Sequence, residues 1–345
     1  MRLKLAIMLH SILEGLEWPY DFLVTREDEL LLFIRFLRRT GFRFIMARDY
    51  RQAQGRTACL TFDDGFLDNW SLLFPLMERE GVPFTIFVCR DFLEDHERLR
   101  PPGLRQPGYL SVGELKEMRH SGLVDVQSHS TTHTWWPVAP RVTGIFAAGG
   151  QARHPWLLWN RDPAAKPGWL QADYSSCVGL PVLENDRALR AVRLLLDEDR
   201  WQALSVRVRD ESLDVEAANR LLREAGPALG RPECPEESAR RYRDELEQTA
   251  RFLEDRLGER PTVLCWPGGA HNATSLAIAR EQGYLSTAKI GHGRDGRYMH
   301  RISPGNPEGR ERFPWKHQRL TLACYVARFA WRGWREAGTQ TRDDT

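Results

Sequence analysis

This chain predicts an α/β fold, with a parallel sheet and helices packed outside it. Three observations carry that expectation. Strand-like apolar runs alternate with amphipathic helical stretches through residues 3–133 and again through 236–302. Most of the runs are continuously apolar, as strands buried on both faces are. Two clusters of chemistry-bearing residues fall at strand carboxyl ends, where barrel folds build their active sites. At 345 residues the chain is long enough for one large α/β domain carrying a sizeable insertion.

Leu3 to Leu9 reads as the first buried strand. Thr25 is the expected cap of a helix from Arg26 to Arg39, with Leu30, Phe33, Ile34 and Leu37 as its apolar stripe and Gly41 ending it. Phe42 to Met46 is a short strand, and Ala58 to Phe62 is another, running into Asp63-Asp64-Gly65. A helix from Asp68 to Glu80 closes at Gly81, and Pro83 to Val88 is the next strand. Ser111 to His120 is a helix whose Ser111 and Glu114 form a capping box. Val124 to Ser128 then runs into His129-Ser130-Thr131-Thr132-His133.

From Thr134 to about Pro235 the pattern changes. Trp135, Trp136, Trp156, Trp159 and Trp169 cluster among Pro and Gly, and helix-like charged segments follow over 186–225. The barrel pattern resumes with a helix from Glu236 to Leu257 and a strand from Thr262 to Trp266 that enters Pro267-Gly268-Gly269. A helix from Thr274 to Gln282 and strands at Tyr284–Ile290 and Tyr298–Ile302 complete it. The tail from Gln318 to Trp334 reads as a helix. The expected organisation is a barrel from 1–134 and 236–317, an insertion over 135–235, and a C-terminal helix and tail over 318–345.

The chemistry starts at Asp63 and Asp64. Strand alternation sends neighbouring side chains to opposite faces, but here the strand is ending and Gly65 permits a sharp turn, so both carboxylates can enter one cavity. Two anions that close need a cation or proton between their roles. On its own, Asp-Asp-Gly is also an ordinary turn. The second cluster shifts the balance: His129 and His133, four apart, lie on one face if the segment is a helical turn, and with Asp64 they make a two-histidine, one-carboxylate set. Such a set leaves positions open for water and substrate.

These residues resemble the first two motifs of the metal-dependent polysaccharide deacetylases, carbohydrate esterase family four, the NodB-homology domain. Leu264-Cys265-Trp266-Pro267-Gly268-Gly269, with Asn272 after it, resembles the Tyr-Pro-Tyr-Gly variant of the third motif, and Ile7-Met8-Leu9-His10 resembles the first strand of that subgroup. The resemblance implies a distorted parallel (β/α) barrel of about seven strands, with the Trp-rich insertion as a departure. It implies a divalent transition metal, zinc first, on Asp64, His129 and His133, with Asp63 as general base. A backbone N–H near Gly268 would help to hold the oxyanion. The arginine that opens the family's third motif is Cys265 here, so Asp63 needs another partner, and Arg301 is the choice. The loose match Tyr298-Met299-His300 nominates His300 as general acid, with His292 second. Gly268, Trp266, His10 and Arg301 complete the residues expected around the substrate, and the insertion either packs on itself or forms a lid whose Trp rings stack on sugar faces.

Composition bounds the alternatives. A formal charge of +2 gives no reason to expect nucleic acid. The six cysteines lack paired spacing, the apolar start is too short for a signal segment, and no stretch approaches a membrane span. A cytoplasmic protein is expected, its tail helix closing the barrel bottom rather than lying on a membrane surface. The expected function is deacetylation of an N-acetylated amino sugar in a glycan or glycan precursor. Ester (O-acetyl) hydrolysis, hydrolysis of a non-sugar amide, and a metal-free barrel that binds glycan without turning it over stay open.

Overall fold

Every barrel strand of this protein is buried on both faces, so alternate residues have two different fates. The computed structural model describes residues 3–14, 23–146, 178–224, 229–289 and 298–302. In chain order its elements are β1 (Leu3–Leu9), α1 (Glu27–Arg39), β2 (Arg43–Phe44), β3 (Arg56–Asp64), α2 (Phe74–Glu80), β4 (Phe84–Val88), α3 (Val112–His120) and β5 (Val124–Ser128). Then come β6 (Trp135–Ile145), β7 (Pro181–Arg187), β8 (Leu194–Leu196), α4 (Glu198–Asp210), α5 (Val215–Glu224) and β9 (Gly230–Pro232). The chain continues through α6 (Pro235–Leu257), β10 (Val263–Leu264), α7 (Ala273–Glu281), β11 (Leu285–Lys289) and β12 (Tyr298–Ile302).

The sheet runs β1-β12-β11-β10-β5-β4-β3, and β3 returns to pair with β1, closing seven strands into a barrel. Every pairing in it is parallel. The short β2 lies beside the start of β3. Leu5, Ile7, Leu60, Phe62, Phe84, Ile86 and Val88 face outward into a core shared with Leu30, Ile34 and Leu37 of α1 and with Met77 and Leu115. Ala6, Cys59, Phe87, Val263, Cys265 and Met299 meet inside the barrel instead. On the far side, Leu264 and Trp266 face outward against Tyr242, Leu246 and Ala250 of α6 and Ile278 of α7.

Several boundaries differ from the sequence expectation. Thr25 is not the cap of α1. Arg26 takes that position in extended backbone without a side-chain cap bond, and the Thr25 N–H is drawn to the Ser11 carbonyl. Glu27, Asp28 and Glu29 stabilise the first turn through the helix dipole. The helix after Asp-Asp-Gly opens as a π-helical turn, Asn69–Leu73, and is α-helical only over Phe74–Glu80. Pro75 explains this, because it has no N–H for the Ser71 carbonyl, which accepts from Gly103 at 2.6 Å. Helical segments are expected from residue 186, but β7 runs on to Arg187, residues 194–196 are a strand, and helices begin only at Glu198. The expected strand at 262–266 is ladder-paired only at Val263–Leu264.

Between β5 and α6 the chain builds a separate small core from Val142, Leu183, Trp201, Leu204, Val208, Ala218 and Leu229. β6 and β7 pair antiparallel with several register shifts, and Asn219 bridges the Val142 N–H and carbonyl. Trp156, Trp159, Trp169 and the tail helix at 318–334 lie outside the described residues. No described helix is long and apolar enough to cross a membrane.

Asp68 ties the exit of β1 to the start of the π turn. It is buried, and its Oδ2 accepts the Ile12 N–H at 2.6 Å. Burial raises its pKa to about 6, the bonds from Ile12 and Ser11 offsetting only part. The folded state therefore holds a proton that the unfolded chain releases near pH 4. Stability should fall as pH rises from about 4 to 6, by about 3 kcal/mol from this group. Urea denaturation of wild type and Asp68→Asn across that range checks it: the difference between the two should shrink toward low pH, and parallel profiles would exclude Asp68 as the source.

Candidate active site

Strand parity sends His10, Asp63, His129, Cys265 and Arg301 toward the barrel axis at its carboxyl end. Asp63 is the inward residue of β3, and Asp64 belongs to the outward set. Asp64 reaches the same cavity because its own backbone is left-handed, at φ +74°, followed by Gly65 at +73°. A non-glycine residue in that region is strained, and such strain gathers at functional sites.

The His-x-x-x-His segment is not the expected helical turn. Residues 129–134 form an irregular loop with left-handed backbone at Ser130 (φ +66°) and His133 (φ +55°). Its shape is imposed by Glu245 of α6, a residue the sequence reading missed. The Glu245 carboxylate accepts the N–H groups of Thr131 and Thr132 at 3.2 and 3.1 Å and the Thr132 hydroxyl at 2.7 Å. Thr249 donates to the Ser130 carbonyl one helical turn further on. Glu245 shares the buried stripe of α6 with Tyr242, Leu246, Thr249 and Leu253, and a carboxylate on an apolar helix face is a signal the sequence does carry.

The loop brings both histidines to Asp64. His129 Nε2 and His133 Nε2 lie 3.3 and 3.5 Å from Asp64 Oδ1. Those approaches lack hydrogen-bond geometry, so buried Asp64 Oδ1 has no hydrogen-bond partner in the structure. Burial alone would raise the Asp64 pKa, but the positive charge that His129, His133 and His10 carry when protonated outweighs it and holds the carboxyl below its usual range. Burial pulls His133 down to about 4, which keeps it neutral with a lone pair to give. His129 Nδ1 lies 2.8 Å from the Cys265 carbonyl; donating there leaves Nε2 as the acceptor side facing Asp64. An orphaned buried carboxylate oxygen between two imidazole nitrogens fits a divalent transition metal, and ligand atoms of all three residues lie within 4.8 Å of one another.

Asp63 sits beside this set with a different set of partners. Arg301 of β12 holds it with both arms, Nη1 to Oδ1 at 2.5 Å and Nη2 to Oδ2 at 2.8 Å. The same Nη1 reaches the Thr61 hydroxyl, which donates to the Ile7 carbonyl. Cys265 Sγ contacts Asp63 Oδ2 at 3.3 Å and Arg301 Nη2 at 2.7 Å, so it shares the arginine rather than replacing it. Burial pushes the Asp63 pKa up, but Arg301 pulls harder and the carboxyl ends below its ordinary value. Asp63, His129 and Cys265 form a second group close enough for a cation. Arg301 already neutralises that one, so Asp64, His129 and His133 are the better donor set.

The other expected residues divide. Arg301 is the partner of Asp63 that the sequence nominates, and it sits in that clamp rather than on a substrate surface. His10 Nε2 lies 4.0 Å from Asp63 Oδ2, with its side chain 18% exposed, so it is the pocket histidine. His300 is displaced from that role by alternation: with Arg301 inward, its ring turns outward beside Tyr298, 6.2 Å away. Trp266, at 1% exposure, is buried among α6 and α7 and offers no face to a sugar. His292 lies outside the described residues.

Gly268 is left-handed at φ +53°, but what approaches it is protein. The guanidinium of Arg187, from the end of β7, takes the space that a side chain at Gly268 would need. Nothing in the sequence near residue 187 marks this contact.

Comparison with known proteins agrees with the architecture. Residues 50–145 and 228–286 match the family model for polysaccharide deacetylase. No curated protein matches the chain. Among solved structures, IcaB from Ammonifex degensii is similar over 94% of this chain and 97% of its own, at 16% identity and TM-score 0.52. A de-N-acetylase from Aggregatibacter actinomycetemcomitans matches over 87% and 94%, at 16% identity and TM-score 0.52. The BpsB deacetylase domain from Bordetella bronchiseptica matches over 87% and 94%, at 19% identity and TM-score 0.52. At these identities the structural likeness speaks for the barrel, and the two matched segments supply Asp63, Asp64, His129, His133 and Cys265. Over those two segments the chain is similar to the polysaccharide deacetylase family, and the barrel is the fold it shares with these structures.

Proposed function

We propose that this protein is a metal-dependent deacetylase that hydrolyses the N-acetyl amide of an amino sugar in a glycan or glycan precursor. The observation that carries the reading is the division of labour between adjacent carboxylates: Asp64 faces two imidazoles, and Asp63 faces an arginine. A zinc or similar ion on Asp64, His129 and His133 supplies positive charge that makes a bound water acidic, from 15.7 toward about 7, and polarises a carbonyl. One of the similar structures is a de-N-acetylase, which supports the amide over the ester as the bond cleaved.

The chain's own residues do the proton work. Asp63, held ionised and oriented by Arg301, takes a proton from the attacking water as the water oxygen bonds to the acetyl carbon. The carbon–nitrogen bond then breaks, and the amine nitrogen needs a proton to leave. Burial lowers the pKa of His10, so it serves as the relay that passes on the proton Asp63 took from the water, its Nε2 lying 4.0 Å from Asp63 Oδ2. Acetate and the free amino sugar are the products. What supports action inside the cell, on a precursor, is the unpaired cysteine usage, Cys59, Cys89, Cys234 and Cys265 all being free.

Zinc-loaded protein incubated with N-acetylglucosamine oligomers should release acetate and primary amine in equal amounts, and more slowly from O-acetylated sugars. Acetate from the esters alone would move the assignment to an esterase. No acetate from either, with zinc bound, would remove the enzyme reading.

A further inference from the structure

Arg187 stands outside the chemistry described so far. It lies on β7 directly across the ladder from Trp135, two residues beyond the ligand-set residue His133. The Ala188 N–H donates to the Thr134 carbonyl at 2.8 Å, which fixes the strand end against the ligand loop. The guanidinium packs over the Trp135 ring at 5.1 Å and reaches the Pro267 carbonyl at 3.2 Å. Gly268 makes the seat possible, since any side chain there would collide with it.

The seating leaves the cation under-used. A guanidinium has five N–H donors, and the Pro267 carbonyl is the acceptor the described structure gives this one. The neighbouring carboxylate, Asp186, is taken by Arg190 at 2.5 Å. Arg187 forms no ion pair within 4.0 Å among the described residues. It is half-buried, and the β6–β7 ladder sets it beside the loop that carries His133. A half-buried cation with spare donors, packed between the His133 loop and the Pro267 turn, is arranged to receive an oxygen.

Building on the deacetylase reading, we propose that Arg187 holds the acetyl carbonyl oxygen of the substrate, stabilising it as the water adds and the oxygen gains charge. In this assignment Gly268 makes room for the guanidinium, which takes the oxyanion role that the sequence assigns to a backbone N–H near Gly268. The contact strengthens as negative charge develops, so its loss should appear in kcat.

The test uses the full chain loaded with zinc, as wild type, Arg187→Ala and Arg187→Lys. Removing one such donor typically lowers kcat by about 10²–10³-fold. Arg187→Ala is expected to show that loss with KM nearly unchanged, equal zinc content and an unshifted melting temperature. Arg187→Lys should recover part of the rate, and added guanidinium should partly rescue Arg187→Ala. Calorimetric titration with acetate gives a readout independent of turnover, with affinity expected to fall about tenfold in Arg187→Ala. An unchanged kcat, a rise in KM alone, or loss of zinc would each overturn the assignment. If the wild type releases no acetate from amides, the deacetylase reading fails. The titration still judges Arg187, because equal acetate affinity in both proteins excludes an oxygen-holding role.

Discussion

Asp64→Ala should lose its zinc and at least about 10³ of its acetate-releasing rate. The size follows from removing an ion worth several kcal/mol of charge stabilisation, at 1.36 kcal/mol per tenfold. The substitution deletes the oxygen that both imidazoles face, and nothing described near it can take over that place. Two readouts besides rate apply. Metal analysis after gel filtration should give stoichiometric zinc for wild type and little for the variant. The melting temperature of wild type should climb with added zinc, since a ligand of the native state stabilises it, while that of the variant should stay flat. A variant that kept both metal and rate would remove residue 64 from the site.

Asp63→Asn should separate the neighbouring role cleanly. The amide keeps the shape but cannot accept the water's proton, so kcat should fall about 10²–10⁴-fold with zinc still bound. The same change leaves Arg301 buried against a neutral group. Breaking a buried ion pair by changing one partner costs about 3–5 kcal/mol, and the retained amide oxygen should hold the loss toward the low end. Urea denaturation reads that loss, and rate measurements at saturating zinc read the other. Loss of zinc along with the rate would mean that Asp63, not Asp64, is the ligand.

Much of this site was legible in the residues themselves because its first half is local. Asp63, Asp64 and Gly65 are consecutive, and a strand ending at a turn is a one-dimensional pattern. The strands around it are long apolar runs, which is why β1, β4 and β5 fall where the pattern puts them. The failures are non-local. The conformation of 129–133 is dictated by Glu245, 114 positions from Thr131, so spacing alone suggested a helical turn that does not exist. The seat of Arg187 over Gly268 joins segments 80 residues apart through a register that no motif announces. The general acid is the instructive case. Once Arg301 is placed against Asp63, alternation in β12 excludes its neighbour His300 from the same cavity, so the two choices were incompatible on strand geometry alone.

The clamp on Asp63 has a consequence for the order in which this protein becomes competent. The ligand loop takes its shape from Glu245 and Cys265, but the arginine that holds Asp63 lies 238 positions beyond Asp63, on β12, which pairs with β1. A molecule frayed at β12 would thus keep its ligand loop while Asp63 stays unpaired in a dry interior, where a carboxyl prefers its proton. Metal loading would precede turnover, and hydrolysis would wait for the final strand to seat.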